Sequence, residues 1–227
     1  MPVLPVIAID GTAASGKGTL ARLLAEKLDM AHLDTGLLYR LVGVEGLKRG
    51  IDIDDGAATA ALACEMAEHF TPALLDDPAL RREKAGPAAS RAGFHPGVRQ
   101  ALFDLQRRFA ANPPPLKNGK PAKGAVLDGR DIGTIICPEA PLKFYVTADV
   151  GIRAKRRHKE LQSHGISATY EAVLADMQER DARDSGRETA PMKPAADAVL
   201  LDTSALSIEA VLKIALDHVS KTWSART

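Results

Sequence analysis

Gly11-Thr12-Ala13-Ala14-Ser15-Gly16-Lys17-Gly18-Thr19 follows the apolar run Val6-Ile7-Ala8-Ile9-Asp10 and leads into Leu20, Leu23, Leu24 and Leu28, which are apolar at helical spacing. The order is strand, glycine-bounded loop, helix. Such a loop turns successive main-chain N–H groups inward around phosphate oxygens, at the positive end of the helix that follows. Gly11 and Gly16 supply backbone angles that a side chain would forbid. Lys17 reaches the outer phosphates and Thr19 brings a hydroxyl to a bound Mg²⁺. The spacing G-x4-G-K is met, but Gly18 stands where Ser or Thr usually follows the lysine, and the hydroxyl comes one place later. The stretch predicts a bound nucleoside triphosphate and leaves open where its phosphoryl group goes.

The rest of the chain reads outward from this loop. Ala31-His32-Leu33-Asp34, Ala125-Val126-Leu127-Asp128, Leu142 to Ala148 and Ala198 to Asp202 are short apolar strands. Helices are expected over Lys17–Leu28, Leu37–Arg49 with Gly50 as its stop, 54–69 capped by Asp54 or Asp55, Pro96–Ala110, Gly151–Ser163 and Tyr170–Asp184, with a last one capped by Ser207. Thr71 to Ala92, broken by Pro72, Pro78 and Pro87, is expected to be irregular with a short helix. Five apolar strands alternating with helices imply an α/β fold, a parallel sheet covered on both faces. Ligands then gather at the carboxyl ends of the strands, where Asp10, Asp34, Asp128 and Asp202 sit.

The 227 residues suit one large domain with small inserted lobes. Thirty basic residues balance 29 acidic ones, so bulk charge points to neither nucleic acid nor membrane. Aromatics at 4% argue against a base-stacking platform, and no run approaches the length of a membrane span. Cys64 and Cys137 lack metal-ligand spacing, suit a reducing cytoplasm and read as small apolar residues.

Three clusters carry further chemistry. In Asp34-Thr35-Gly36-Leu37-Leu38-Tyr39-Arg40, Arg40 suits a second phosphate and Thr35 a base or phosphate, although a surface helix arginine is the plainer reading. In Asp128-Gly129-Arg130-Asp131, Asp128 is placed to act on the water shell of Mg²⁺. Arg130 offers a planar fork to phosphate, and Asp131 accepts from a sugar hydroxyl or base amino group. Arg180, Arg183 and Arg187 recur on one helical stripe beside Asp181 and Asp184, a clamp for a migrating phosphoryl group. The basic helix Arg153-Ala-Lys-Arg-Arg-His-Lys reads as a mobile cover over the nucleotide, and His158 receives no catalytic role.

Together these segments, with Ala190-Pro191-Met192-Lys193-Pro194-Ala195-Ala196-Asp197, resemble the bacterial cytidylate kinases, within the nucleoside monophosphate kinase family. The resemblance runs in order over nearly the whole chain. It implies transfer of the γ-phosphoryl group of ATP to CMP or dCMP, giving the diphosphate and ADP. It implies a three-layer α/β/α fold with strand order 2-3-1-4-5, an acceptor-binding lobe over 35–110, a short helical lid over 151–187, and a core from 1–34, 111–150 and 188–227. Gly11, Thr12, Ala13, Ala14, Ser15, Gly16, Lys17, Gly18 and Thr19 would hold ATP. Thr35, Arg40, Ser90, Arg99, Arg130, Asp131, Arg180 and Arg187 would contact the acceptor, with Ser90 and Asp131 reading the cytosine and sugar. Lys17, Asp128, Arg130, Arg183 and Arg187 would be the catalytic set, with Asp184 orienting the lid arginines. Thr19, and Asp128 through water, would serve Mg²⁺. A cytoplasmic monomer acting on small nucleotides is expected. The chain departs from the family at Thr71–Ser90, too short and proline-broken for the small antiparallel sheet many members carry. Alternatives are a kinase for UMP or a phosphate-free acceptor, or a nucleotide-sensing or RNA-binding regulator. A neutral acceptor would leave several arginines without an anion.

Overall fold

The computed structural model describes residues 4–82, 84–163, 165–186 and 190–224. It divides into two compact units, one formed by the segments up to Leu33 and from Ala110 onward, the other by Asp34–Phe109.

The first unit is built on five strands, β1 (Val6–Gly11), β2 (Ala31–Asp34), β3 (Ala125–Gly129), β4 (Leu142–Thr147) and β5 (Val199–Asp202), in the order β2-β3-β1-β4-β5. The strands are parallel, with helices on both sides of the sheet. Ile7, Ala8 and Ile9 are each 0% exposed, so both faces of β1 are covered and an unbroken apolar run, rather than alternation, is what this strand requires. Helix α1 (Lys17–Leu28) and the last helix, α8 (Ile208–Ser224), pack together. Leu20, Leu24, Val211, Ala215 and Val219 join Ile7, Val126, Phe144 and Leu201 in one core cluster. At the sheet edge β5 alternates instead, and Leu200 faces outward. Helices α6 (Val150–Ser163) and α7 (Tyr170–Ser185) pack side by side around Ala154, Val173 and Met177.

The second unit holds α2 (Thr35–Lys48), α3 (Gly56–Glu68), α4 (Ala85–Ala92) and most of α5 (Pro96–Ala111). Helix α2 begins two residues before its expected start because the Asp34 carboxylate accepts from the Gly36 N–H at 3.0 Å and caps it. Asp55, not Asp54, caps α3, accepting from both Ala57 and Ala58. Helices α2 and α4 cross closely at Gly43, where a Cβ would stand 2.8 Å from the Ala88 Cβ. The described residues of Thr71–Ser90 form no strand. They fold as two 3₁₀ turns, Pro72–Asp76 and Pro78–Arg81, and then α4. Cys64 is exposed on α3 and Cys137 is half-buried, so the apolar reading suits only the second.

Candidate active site

The loop after β1 has the backbone its sequence demands. Gly11 has φ +146°, and a Cβ there would lie 1.9 Å from the Val146 carbonyl oxygen. Gly16 has φ +89° and opens α1. Between them Ala14 also occupies the left-handed region, at φ +55°. The loop carbonyls are held from the protein side. Ser15 Oγ donates to the Thr12 carbonyl at 2.9 Å, Arg153 Nη1 to that of Ala13 at 3.3 Å, and Thr203 Oγ1 to that of Ser15 at 2.8 Å. In a trans peptide the N–H points opposite to the C=O of the same plane. The N–H groups of Ala13, Ala14 and Gly16 therefore face away from those anchors, as a phosphate cradle requires. Lys17, Gly18 and Thr19 form the first turn of α1, where main-chain N–H groups have no partner within the helix. Thr12 Oγ1 is buried with no hydrogen-bond partner.

Beside this loop lies the end of β3, because β1 and β3 are neighbours with Ile9 opposite Asp128 and Asp10 opposite Gly129. The turn after β3, Ile132–Ile136, is pinned by Asp10, whose two carboxylate oxygens accept from the Ile132 and Gly133 N–H groups at 2.7 Å each. Asp10 is 3% exposed. Burial pushes its pKa up to about 6, against the downward pull of the two N–H bonds; Asp131 adds to the rise and Arg130 opposes it. Asp128, also buried, receives His32 Nε2 on Oδ1 at 2.8 Å. Its Oδ2 faces the first turn of α1, since a Cβ on Gly18 would lie 3.7 Å from it. A carboxylate beside the Thr19 turn fits Mg²⁺, which takes few protein oxygens and keeps several waters.

Helices α6 and α7 fasten to the same region. The Arg153 side chain is only 5% exposed. Its Nε donates to the Ala148 carbonyl at 2.8 Å and its Nη2 to Asp181 at 2.6 Å, besides the bond to Ala13. It is a buried anchor under the phosphate loop. Arg156 holds Thr203 in turn, through its hydroxyl at 3.0 Å and its carbonyl at 2.7 Å. Arg130 Nε donates to Asp184 at 3.0 Å, and Arg180 approaches the same carboxylate at 4.0 Å. Asp184 is 5% exposed and Arg130 15%, so this group is largely desolvated. Arg130, Asp184 and Arg180 are thus brought together, whereas exposed Arg183 pairs with Glu179 one turn back. Arg187, the last member of the expected stripe, lies outside the described residues. Asp131 is buried at the start of the turn after β3.

In the second unit Thr35 is buried at the start of α2, and Ser90 is half-buried on α4. Arg99, on α5, sets its guanidinium 5.9 Å from the centre of the Tyr39 ring. Arg40 donates from Nη1 to the Leu80 carbonyl at 2.9 Å. Neither arginine is therefore an idle surface charge.

A parallel sheet of this order, with a phosphate loop after β1 and clustered arginines after β3 and on α7, defines a P-loop kinase of the α/β class. The cytidylate kinase family model matches residues 7–221. The chain belongs to the cytidylate kinase family and is an enzyme. It is similar to proteins named cytidylate kinase from Rhodospirillum rubrum (57% identity over 93% of this chain and 95% of that one) and Xanthobacter autotrophicus (54% over 97% and 100%). Its fold is similar to that of an uncharacterised protein from Eubacterium ventriosum, at TM-score 0.53 and 14% identity over 95% of this chain and 98% of that one. Among the described residues no helix is long and apolar enough to cross a membrane.

Sequence reasoning passed over three supports of the site. His32 is signalled only as a polar residue inside an apolar strand, and Thr203 only as a hydroxyl just past the last strand. Asp10 is marked by its strand-end position, but nothing local names the turn it holds.

Proposed function

We propose that this enzyme transfers the γ-phosphoryl group of ATP to CMP or dCMP. The observation that carries the reading is the adjacency of β1 and β3, which sets a phosphate cradle beside an Asp-Gly-Arg-Asp turn whose arginine is already engaged with α7. An oxygen of the acceptor phosphate attacks the γ-phosphorus while the bond to the β–γ bridging oxygen breaks. ADP leaves with that electron pair, and CMP becomes CDP. Gly11 to Thr19 cradle the ATP phosphates through main-chain N–H groups, and Lys17 neutralises the outer ones. Bound Mg²⁺ would supply charge neutralisation at the β- and γ-phosphates, held by the Thr19 hydroxyl and, through water, by Asp128. Arg130, Arg180 and Arg183, with Arg187, stabilise the charge spread over the migrating group. Asp184 holds Arg130 and Arg180 in line for this, at no reorganisation cost during transfer. Asp131 takes the sugar or base. Thr35, Arg40, Ser90 and Arg99, in the second unit, serve the acceptor nucleotide, Arg40 at its phosphate.

An assay of ADP release with ATP–Mg²⁺ and a panel of acceptors tests this. CMP and dCMP should support turnover far above AMP, GMP or shikimate, with UMP as the demanding comparison. Equal response to all acceptors would reject the base site, and a preference for a phosphate-free acceptor would reject the arginine assignments.

A further inference from the structure

The proline-broken segment in the second unit is tied to α2 at two points. At one, Arg40 Nη1 donates to the carbonyl oxygen of Leu80, a fully buried residue of the 3₁₀ turn Pro78–Arg81. At the other, Lys48 Nζ donates to Asp77 Oδ2 at 3.3 Å. Residues 40 and 48 are about 12 Å apart along a helix. Asp77 also organises the turn. Its Oδ1 accepts from the Ala79 N–H at 2.8 Å, and its own carbonyl accepts from the Leu80 N–H at 3.1 Å. Pro78 occupies the first position of the turn, where a missing N–H costs nothing and a fixed φ helps. The turn packs against both α2 and α4.

A guanidinium is planar and carries five N–H donors in a rigid fork. One bond to a buried carbonyl restrains that fork and is compatible with a paired grip on a phosphate. The carbonyl is itself fixed only if the turn that bears it is fixed, and the Asp77 cap does this. We infer that Asp77 is a positioning residue for acceptor binding: it caps the Pro78–Arg81 turn, whose Leu80 carbonyl orients Arg40 toward the acceptor phosphate. The inference rests on the reading of Arg40 as a partner of that phosphate. It gives the shortened lobe, whose described residues over Thr71–Ser90 form no strand, a defined task.

The test is steady-state kinetics on the full chain, varying CMP at saturating ATP and ATP at saturating CMP, alongside thermal unfolding. Asp77→Ala should raise the KM for CMP about fivefold, the equivalent of an ordinary lost cap. The KM for ATP and kcat should stay at their wild-type values. Asp77→Asn should restore the KM for CMP, because an amide oxygen still accepts from the Ala79 N–H. Arg40→Gln should raise it by at least as much as Asp77→Ala. A wild-type KM for CMP in Asp77→Ala, with Arg40→Gln impaired, overturns the positioning role. So does a parallel rise in both KM values with a fall in kcat and Tm, which marks general loosening. An unaltered KM for CMP in Arg40→Gln instead refutes the reading of Arg40, and the inference falls with it.

Discussion

Asp10 makes this enzyme's stability depend on pH in the sense opposite to a salt-bridged carboxylate. In the folded chain its pKa stands at about 6 against an ordinary 3.8, because burial outweighs two short N–H bonds. Between these values the folded state holds a proton that the unfolded state has released. By linkage, unfolding free energy then falls as pH rises through the window and levels off above it. A shift of about two units corresponds to ~3 kcal/mol. The perturbation is Asp10→Asn, which removes the titration while keeping one acceptor oxygen and turning an NH₂ donor toward an N–H. Urea unfolding of both proteins from about pH 4 to pH 8 gives the two stability curves. Subtracting one from the other cancels the remaining carboxylates. Wild type minus variant should drop by ~3 kcal/mol between about pH 4 and pH 7, then run flat. A flat difference across the whole range, or one that rises with pH, would refute the claim that desolvation dominates at Asp10.

Thr203→Val leaves the Ser15 carbonyl without its 2.8 Å donor in a buried setting. It should cost about 1–3 kcal/mol, seen as a Tm lower by roughly 2–10 °C, and should raise the KM for ATP, while Thr203→Ser retains both. Gly11→Ala places a methyl group 1.9 Å from the Val146 carbonyl at φ +146° and should destabilise the fold by more than ~3 kcal/mol in chemical unfolding. Gly86 lies in α4 directly before Pro87, so Gly86→Ala would set a Cβ against the proline ring in a helical backbone and should be destabilising in the same measurement, although the space beyond its chain neighbours is open.

Much of the fold is legible because its signals are local. The strand–loop–helix order around Gly11–Thr19, the apolar strands and the helix periods each occupy a few consecutive residues, and the structure reproduces them with shifts of a residue or two at the ends. The start of α2 was missed because Asp34 both ends β2 and caps the helix, and periodicity begins only at Leu37. Proline spacing correctly argued against strands over Thr71–Ser90, but it could not show that the turns there reach back to Arg40. Which guanidinium of the charged helix is buried is not legible locally; only packing distinguishes Arg153 from Arg156 and Arg157.

The amino-acid sequence by itself determined the α/β class and the phosphate loop, because glycines at fixed spacing and unbroken apolar strands act through their own backbone geometry; the family came through the resemblance carried by Asp128–Asp131 and Arg180–Arg187. Tertiary structure alone decided how the site is held. His32 meets Asp128 across 96 positions, Asp10 meets Gly133 across 123, and Thr203 meets Ser15 across 188. These bonds exist because a parallel sheet brings the carboxyl ends of distant strands side by side, and buried polar groups there must find partners wherever the chain happens to return.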